Sequence, residues 1–232
     1  MSDNQNFIAR RIRSFVKREG RLTPGQQRAL DELFPLYGIT LAQGCLDLDD
    51  LFARQAAGRI LEIGFGNGAS LAQMAGQHPE NDYLGIEVHR PGVGNLLSQI
   101  QVQQIENIRI SNDDAVEVLQ QQITDASLDA VYLFFPDPWH KRRHHKRRIV
   151  QPAFVQLLRR KLKSGGVFHM ATDWRDYARY MMKVLSGAEG FSNSVAPQQY
   201  AARPDYRPLT KFEQRGQRLG HGVWDLIFVK TH

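Results

Sequence analysis

The stretch over residues 128–148 constrains this chain most. Ala130, Val131, Tyr132, Leu133, Phe134 and Phe135 form a short, unbroken run of apolar, β-branched and aromatic side chains. A run of that length without alternation is the pattern of a strand covered on both faces, the situation found in parallel sheets. It stops at Pro136-Asp137-Pro138. Each proline removes a backbone donor and fixes φ, so the ladder cannot continue and Asp137 is presented in a stiff loop at a strand end. Directly after Trp139 come Lys141, Arg142, Arg143, Lys146, Arg147 and Arg148, interleaved with His140, His144 and His145. So dense a positive charge is either solvated or faces a polyanion. A basic run alone is usually a solvated face. Joined to a fixed carboxylate at the carboxyl edge of a sheet, where open α/β folds bind their ligands, it becomes a candidate site.

Strands and helices alternate on both sides of this stretch. The apolar segment Arg59–Ile63 runs into Gly64-Phe65-Gly66-Asn67-Gly68, and a helical pattern follows over 69–75. Strand, glycine turn and helix in that order let a backbone approach a cofactor closely, because side chains are absent from the turn. Glu62 sits at the first strand end. Glu87 closes the next strand, over 83–86, at about the 20-residue offset expected of a carboxylate that takes ribose hydroxyls. The glycines read G-x-G-x-G, without the wider last interval of the dinucleotide fingerprint. That spacing favours S-adenosylmethionine, which has no pyrophosphate to seat on a helix N-terminus, and leaves a nicotinamide dinucleotide as the alternative.

A helix over 92–105 and a third strand over 108–110 lead to Asp113-Asp114. Asp114 fits either an acceptor for an adenine amine or an N-cap for a helix over 115–119, and the two roles are compatible. Beyond the basic run, a helix over 151–162 is expected to stop at Gly165-Gly166, and a fifth strand over 167–171 delivers Thr172-Asp173-Trp174 to the same edge. Five strand ends thus carry an acid each: Glu62, Glu87, Asp114, Asp137 and Asp173. After a helix ending near 187, residues 197–208 read as a long loop, followed by Thr210, Lys211, Phe212, Glu213 and Arg215, whose polar members can grip a base edge or a phosphate. A last strand runs over 223–229. The alternation predicts an α/β fold with a mainly parallel, doubly wound sheet.

Length and charge set the remaining bounds. At 232 residues, 42% of them hydrophobic, the chain supports one large domain and is not disordered. We divide it into a basic, partly flexible N-terminal extension over 1–50 and a folded domain over 51–232. Arg10, Arg11, Arg13, Lys17, Arg18 and Arg21 surround Ile8, Ile12, Phe15 and Val16, the composition of either a nucleic-acid-binding arm or a solubilising tail. Thr23-Pro24 then starts a helix expected to end at Pro35. The net charge of +6 favours acidic partners, with nucleic acid ahead of membrane. No apolar run of 18 residues and no signal-like segment is present, so a soluble cytoplasmic protein is expected. The one cysteine, Cys45, fits a reducing compartment, and the scattered histidines give no metal spacing.

The motifs EIGFGNG (62–68), GIEVH (85–89), NDDAVEVL (112–119), FFPDPWHKRRHHKRR (134–148), ATDW (171–174) and TKFEQRGQRLGHGVWDL (210–226) together resemble the bacterial tRNA (guanine-N7-)-methyltransferases. The resemblance spans about residues 55–230. The PDPW block with its following cations and the TKFE block are specific to that family, whereas the glycine loop is shared by S-adenosylmethionine enzymes at large. His145 stands where the family commonly has Asn, and the first fifty residues match least. The resemblance implies a Rossmann-like S-adenosylmethionine-dependent methyltransferase fold with an antiparallel C-terminal strand, and methyl transfer to N7 of a guanosine in the tRNA variable loop. By the same resemblance, Glu62, Gly64, Gly66, Gly68, Glu87, Asp114 and Asp137 hold the cofactor and Asp137 is catalytic. It also implies that Lys141, Asp173, Thr210, Lys211, Phe212 and Glu213 contact the substrate, and that Arg143, His144, His145, Lys146, Arg147 and Arg148 lie along RNA. The chain is then a monomer or homodimer acting without metal. Two other classes stay open: a methyltransferase for another RNA, and a non-catalytic RNA-binding module on the same fold.

Overall fold

The computed structural model describes residues 13–15, 20–210, 213–214 and 222–232. The first elements are α1 (Pro24–Tyr37), β1 (Gly38–Ile39) and α2 (Leu48–Phe52). The alternating body follows as β2 (Arg59–Ile63), α3 (Ala69–Gln77), β3 (Asp82–Ile86), α4 (Arg90–Gln103), β4 (Ile108–Ser111), α5 (Ala115–Gln121) and β5 (Leu128–Phe134). The chain closes with α6 (Pro152–Lys161), β6 (Leu162–Thr172), α7 (Arg175–Ser186), β7 (Phe191–Asn193) and β8 (Trp224–Lys230). One sheet has the order β1-β4-β3-β2-β5-β6-β8-β7. The strands from β1 to β6 are parallel, while β8 runs antiparallel to β6 and β7 antiparallel to β8.

Successive strand residues point to opposite faces, and both faces are covered. Leu61, Ile63, Leu84, Ile86, Val131 and Leu133 join α2, α5, α6 and α7 in one core, whereas Ile60, Tyr83, Ile110, Ala130 and Tyr132 join α1, α3 and α4 in the other. That division explains why the strands read as continuous apolar runs. Chain order takes β3 and β4 to one side of β2 and β5 to the other, so the strand order reverses between β2 and β5. A crevice opens at such a switch point, outside the carboxyl ends of the strands.

Several boundaries differ from expectation. α1 starts as predicted, with Thr23 and Gln26 forming a reciprocal capping box, but it continues past Pro35 to Tyr37. Proline forfeits only its own N–H, and the Gly38 N–H still reaches the Phe34 carbonyl, so a proline in the last turn does not end the helix. α6 ends at Lys161 and the strand begins at once, placing Gly165 and Gly166 inside β6. There the pairing with β5 shifts register, from Leu128↔Leu162 to Ala130↔Val167, and the glycines form the irregularity. The segment ahead of residue 51 is also no simple appendage from Pro24 onward. α1 packs against α4, and β1 pairs with β4 at the sheet edge.

Candidate active site

The glycine turn after β2 begins the site. Gly64, Gly66 and Gly68 all have positive φ, at 76°, 61° and 78°, a region that other residues enter at a steric cost. Gly64 and Gly66 face open space, and a Cβ on either would meet nothing within 4 Å. Asn95 and Gln99 of α4 donate to the Asn67 carbonyl at 2.6 and 3.0 Å and fix the turn from behind. Glu87, just past β3, accepts from Gly66 N at 2.8 Å and from His89 N at 2.9 Å, which ties the second strand end to the turn.

Two cavities meet over this turn. One, of about 510 Å³, is lined by Gly64, Glu87, Asp114, Phe134, Asp137 and Trp139, with Ser14 and Phe15 at its edge. The other, of about 660 Å³, is lined by Glu62, Gly64, Asn67, Phe134, Arg207 and Thr210. Both sizes lie in the range of ligand pockets, and Gly64 and Phe134 belong to both. Glu62 is buried, and its Oε2 has no hydrogen-bond partner among the described residues. Burial, and then the charge of Glu87, push its pKa up to about 8. An unpartnered buried carboxyl facing a cavity is a ready acceptor for a cationic ligand group.

The acid-bearing strand ends come together at this edge. Asp114 caps α5 by accepting from Val116 N at 2.9 Å, as the N-cap reading expects, and it also lines the first cavity. Asp137 is exposed, and its Oδ1 accepts from Trp139 N at 2.9 Å. On either side of the Pro-Asp-Pro segment, Phe135 and Trp139 adopt left-handed φ of 51° and 45°. Non-glycine residues hold such angles only where their surroundings dictate them. Phe135 N–H is bound to the Ala171 carbonyl at 2.8 Å, Trp139 Nε1 donates to the Ser14 carbonyl at 3.1 Å, and Arg147 lies over the Trp139 ring. Asp173 follows β6 beside the Asp137 loop, since β5 and β6 are paired through Phe134↔Ala171. Lys141, Arg142 and Arg143 are exposed just beyond Trp139, and a short 3-10 turn carries Arg142–Arg147.

Two expected RNA or substrate contacts prove to be internal. Arg148 is buried, donating to the Pro138 carbonyl and to Asp176 Oδ2 at 2.8 Å each, with its guanidinium over the Tyr177 and Tyr180 rings. It ties the basic run to α7 and offers no charge to solvent. Glu213 is buried in a two-pronged pair with Arg207, and its backbone N–H is held by Thr210 Oγ1 at 3.1 Å. Its carboxylate is spent inside the protein, leaving Thr210 as the cavity-lining member of that pair. Lys211 and Phe212 lie outside the described residues. His144 is held below its ordinary pKa by desolvation and by Arg143 and Arg147, so at pH 7 it is a neutral ring among cations.

A network that the sequence did not signal sits beneath the second cavity. Arg207 also lies against Asp225 of β8, with Nη2 to Oδ2 at 3.0 Å. His169 of β6 links Asp225 Oδ1, at 2.8 Å from Nε2, to the Tyr206 hydroxyl, at 3.0 Å from Nδ1. Burial lowers the His169 pKa despite its aspartate partner, so the ring is neutral. These partners assign Nε2 as the donor to Asp225 and Nδ1 as the acceptor from Tyr206.

The family model described as "Putative methyltransferase" matches residues 56–226. A tRNA (guanine-N(7)-)-methyltransferase of Aeromonas hydrophila is 60% identical over 223 residues, covering 96% of this chain and 94% of its own length. The chain belongs to the tRNA (guanine-N(7)-)-methyltransferase family. A second member, from Alcanivorax borkumensis, is 58% identical over 96% of this chain and 93% of its own. The 16S rRNA methyltransferase KamB shares the fold, with a TM-score of 0.60 at 14% identity over 81% of this chain and 95% of that one. Among the described residues, no helix is long and apolar enough to cross a membrane.

Proposed function

We propose that this protein transfers the methyl group of S-adenosylmethionine to N7 of a guanosine in the variable loop of tRNA. The observation that carries the reading is the position of Asp137: exposed at the β5 end, on the wall of a cavity it shares with Glu87 and Asp114, and followed directly by the cationic lip. The residues present fit the cofactor, because Gly64 and Gly66 leave open space above the turn and Glu62 offers an unpartnered buried oxygen. In this reading Glu87 takes the ribose hydroxyls, Asp114 the adenine amine and Glu62 the cationic amino-acid end, with Gly64, Gly66 and Gly68 clearing the path between them.

When bound, S-adenosylmethionine supplies a methyl group on a cationic sulfonium. Guanine N7 carries a lone pair and no proton at neutral pH, so the protein needs no strong base. Its work is positioning, for which orientation of two reactants is worth roughly 7–11 kcal/mol. Asp137 orients the guanine through its amino and imino hydrogens and stabilises the positive charge that arrives on the purine. Thr210 and Asp173 flank the base, and Lys141, Arg143, Lys146 and Arg147 take phosphates. Every group named lies on one chain, so a monomer and a homodimer serve equally. A tRNA substrate and the lone Cys45 fit a cytoplasmic setting.

The test is methyl transfer from labelled S-adenosylmethionine to unmodified tRNA, followed by nucleoside analysis. 7-Methylguanosine that disappears in Asp137→Ala supports the reading. Label in another RNA or nucleoside moves the substrate, and binding of cofactor and tRNA without transfer reduces the protein to a binding module.

A further inference from the structure

Of the three tryptophans, two are partly buried. Trp139 donates from Nε1 to Ser14 and lies under Arg147, and Trp224 packs on Tyr200. Trp174 is different. It is 41% exposed, the one aromatic among the exposed large hydrophobic residues described. Its backbone is nonetheless fixed: Trp174 N–H is bound to Thr172 Oγ1 at 3.2 Å, and the residue caps the start of α7. Its ring meets His140 edge to face, at 4.2 Å between centroids. His140 belongs to the Asp137 loop and Trp174 follows Asp173, so the pair bridges the two strand ends that carry those acids. Exposed cations Lys141, Arg142 and Arg143 adjoin it.

A single exposed apolar residue usually needs no explanation. An exposed aromatic ring held between the Asp137 loop and the start of α7, against a histidine that three exposed cations follow in the chain, has the composition of a single-strand nucleic-acid site, in which phosphates meet cations and bases stack on rings. We propose that Trp174, backed by His140, is a stacking platform for an unpaired nucleobase of the RNA, either the target guanine or its neighbour. This rests on the reading above that the substrate is RNA. The indole supplies a flat face and no charge, so its contribution is independent of base identity and of counterion release.

The experiment is equilibrium binding of unmodified tRNA by the full chain and its W174A, W174F and W174L variants over a range of salt, with cofactor affinity measured in parallel. Stacking predicts that W174A weakens tRNA binding by about 5- to 100-fold, that W174F recovers most of the loss and that W174L recovers little. The slope of log K against log salt stays at the wild-type value, because no phosphate contact is lost, and cofactor affinity is unchanged. Unaltered binding by W174A, recovery by Leu equal to that by Phe, or a reduced salt slope overturns the platform. Should W174A fail to fold, the Phe and Leu variants still decide the matter. A wild-type chain that binds no tRNA overturns the RNA reading itself, and this is seen before any variant is compared.

Discussion

Arg207 grips both carboxylate oxygens of Glu213, Nη1 to Oε2 at 2.7 Å and Nη2 to Oε1 at 2.8 Å, with both side chains buried. Burial opposes the charge on Arg207, but Glu213 and Asp225 together hold its pKa above the ordinary value. The same guanidinium lies over the rings of Phe134 and Phe135. One buried cation therefore joins the loop that bears Thr210 to the strand end that leads into Asp137. Removing one partner of a buried pair costs roughly 3–5 kcal/mol. Glu213→Gln should lower the urea midpoint by a clear margin and reduce methyl transfer while cofactor affinity holds. An unshifted midpoint would show that the pair contributes nothing.

In the proposed cofactor site, Glu62 would couple binding to protons. Its pKa stands near 8 in the folded chain against 4.5 as the ordinary value. Because the folded value is the higher one, this residue's stabilising contribution is complete below about pH 4.5 and is lost as pH rises through 8. A cationic ligand reverses the preference and draws off the proton. Calorimetry at pH 7 in buffers of different ionisation enthalpy should show release of up to about one proton per cofactor bound. Glu62→Gln should abolish the release and flatten the decline in stability of the unliganded protein between pH 5 and 8. Identical heats in all buffers would rule the coupling out.

Asp137 acts by charge and orientation in the proposed reaction. Asp137→Ala should lower the turnover rate by about 10²-fold or more. Asp137→Asn should remain slow at every pH. A rate for the asparagine variant that recovers at high pH would mean that assisted deprotonation matters, contrary to the chemistry of N7.

Neighbouring arginines separate by burial. Arg147→Ala should weaken tRNA binding and make it less steep in salt, by about one phosphate contact. Arg148→Ala should instead remove a buried guanidinium that holds the Pro138 carbonyl and packs on Tyr177 and Tyr180, and lower the melting temperature. Glu87→Ala should weaken the cofactor and spare tRNA. Equal salt slopes for the two arginine variants would contradict the division between surface and interior.

The strands, the glycine turn and the cationic lip were legible because each rests on local chemistry: apolar continuity, absent side chains and prolines at a strand end. The α/β fold with its antiparallel last strand follows from that pattern and from the family motifs. What escaped was tertiary. Gly165 and Gly166 read as a helix stop, because nothing local distinguishes a C-cap glycine from one that lets a strand bulge against Leu128 and Ala130. Arg148 reads like its neighbours in a basic run, and only the approach of Asp176, Tyr177 and Tyr180 from α7 sets it apart. Arg207 gave no signal, since its partners Glu213 and Asp225 lie 6 and 18 residues away without periodicity. β1 escapes for the opposite reason, two residues being too short a pattern to read.

Phe135 and Trp139 hold left-handed backbone angles on both sides of Asp137. Such angles cost of order 1–3 kcal/mol each and persist because the Ala171 carbonyl, the Asp137 carboxylate and Ser14 over-determine them. The aspartate is thus set in place during folding, ahead of any encounter with nucleic acid. In the proposed reaction the guanosine therefore travels to a carboxylate that is already in place.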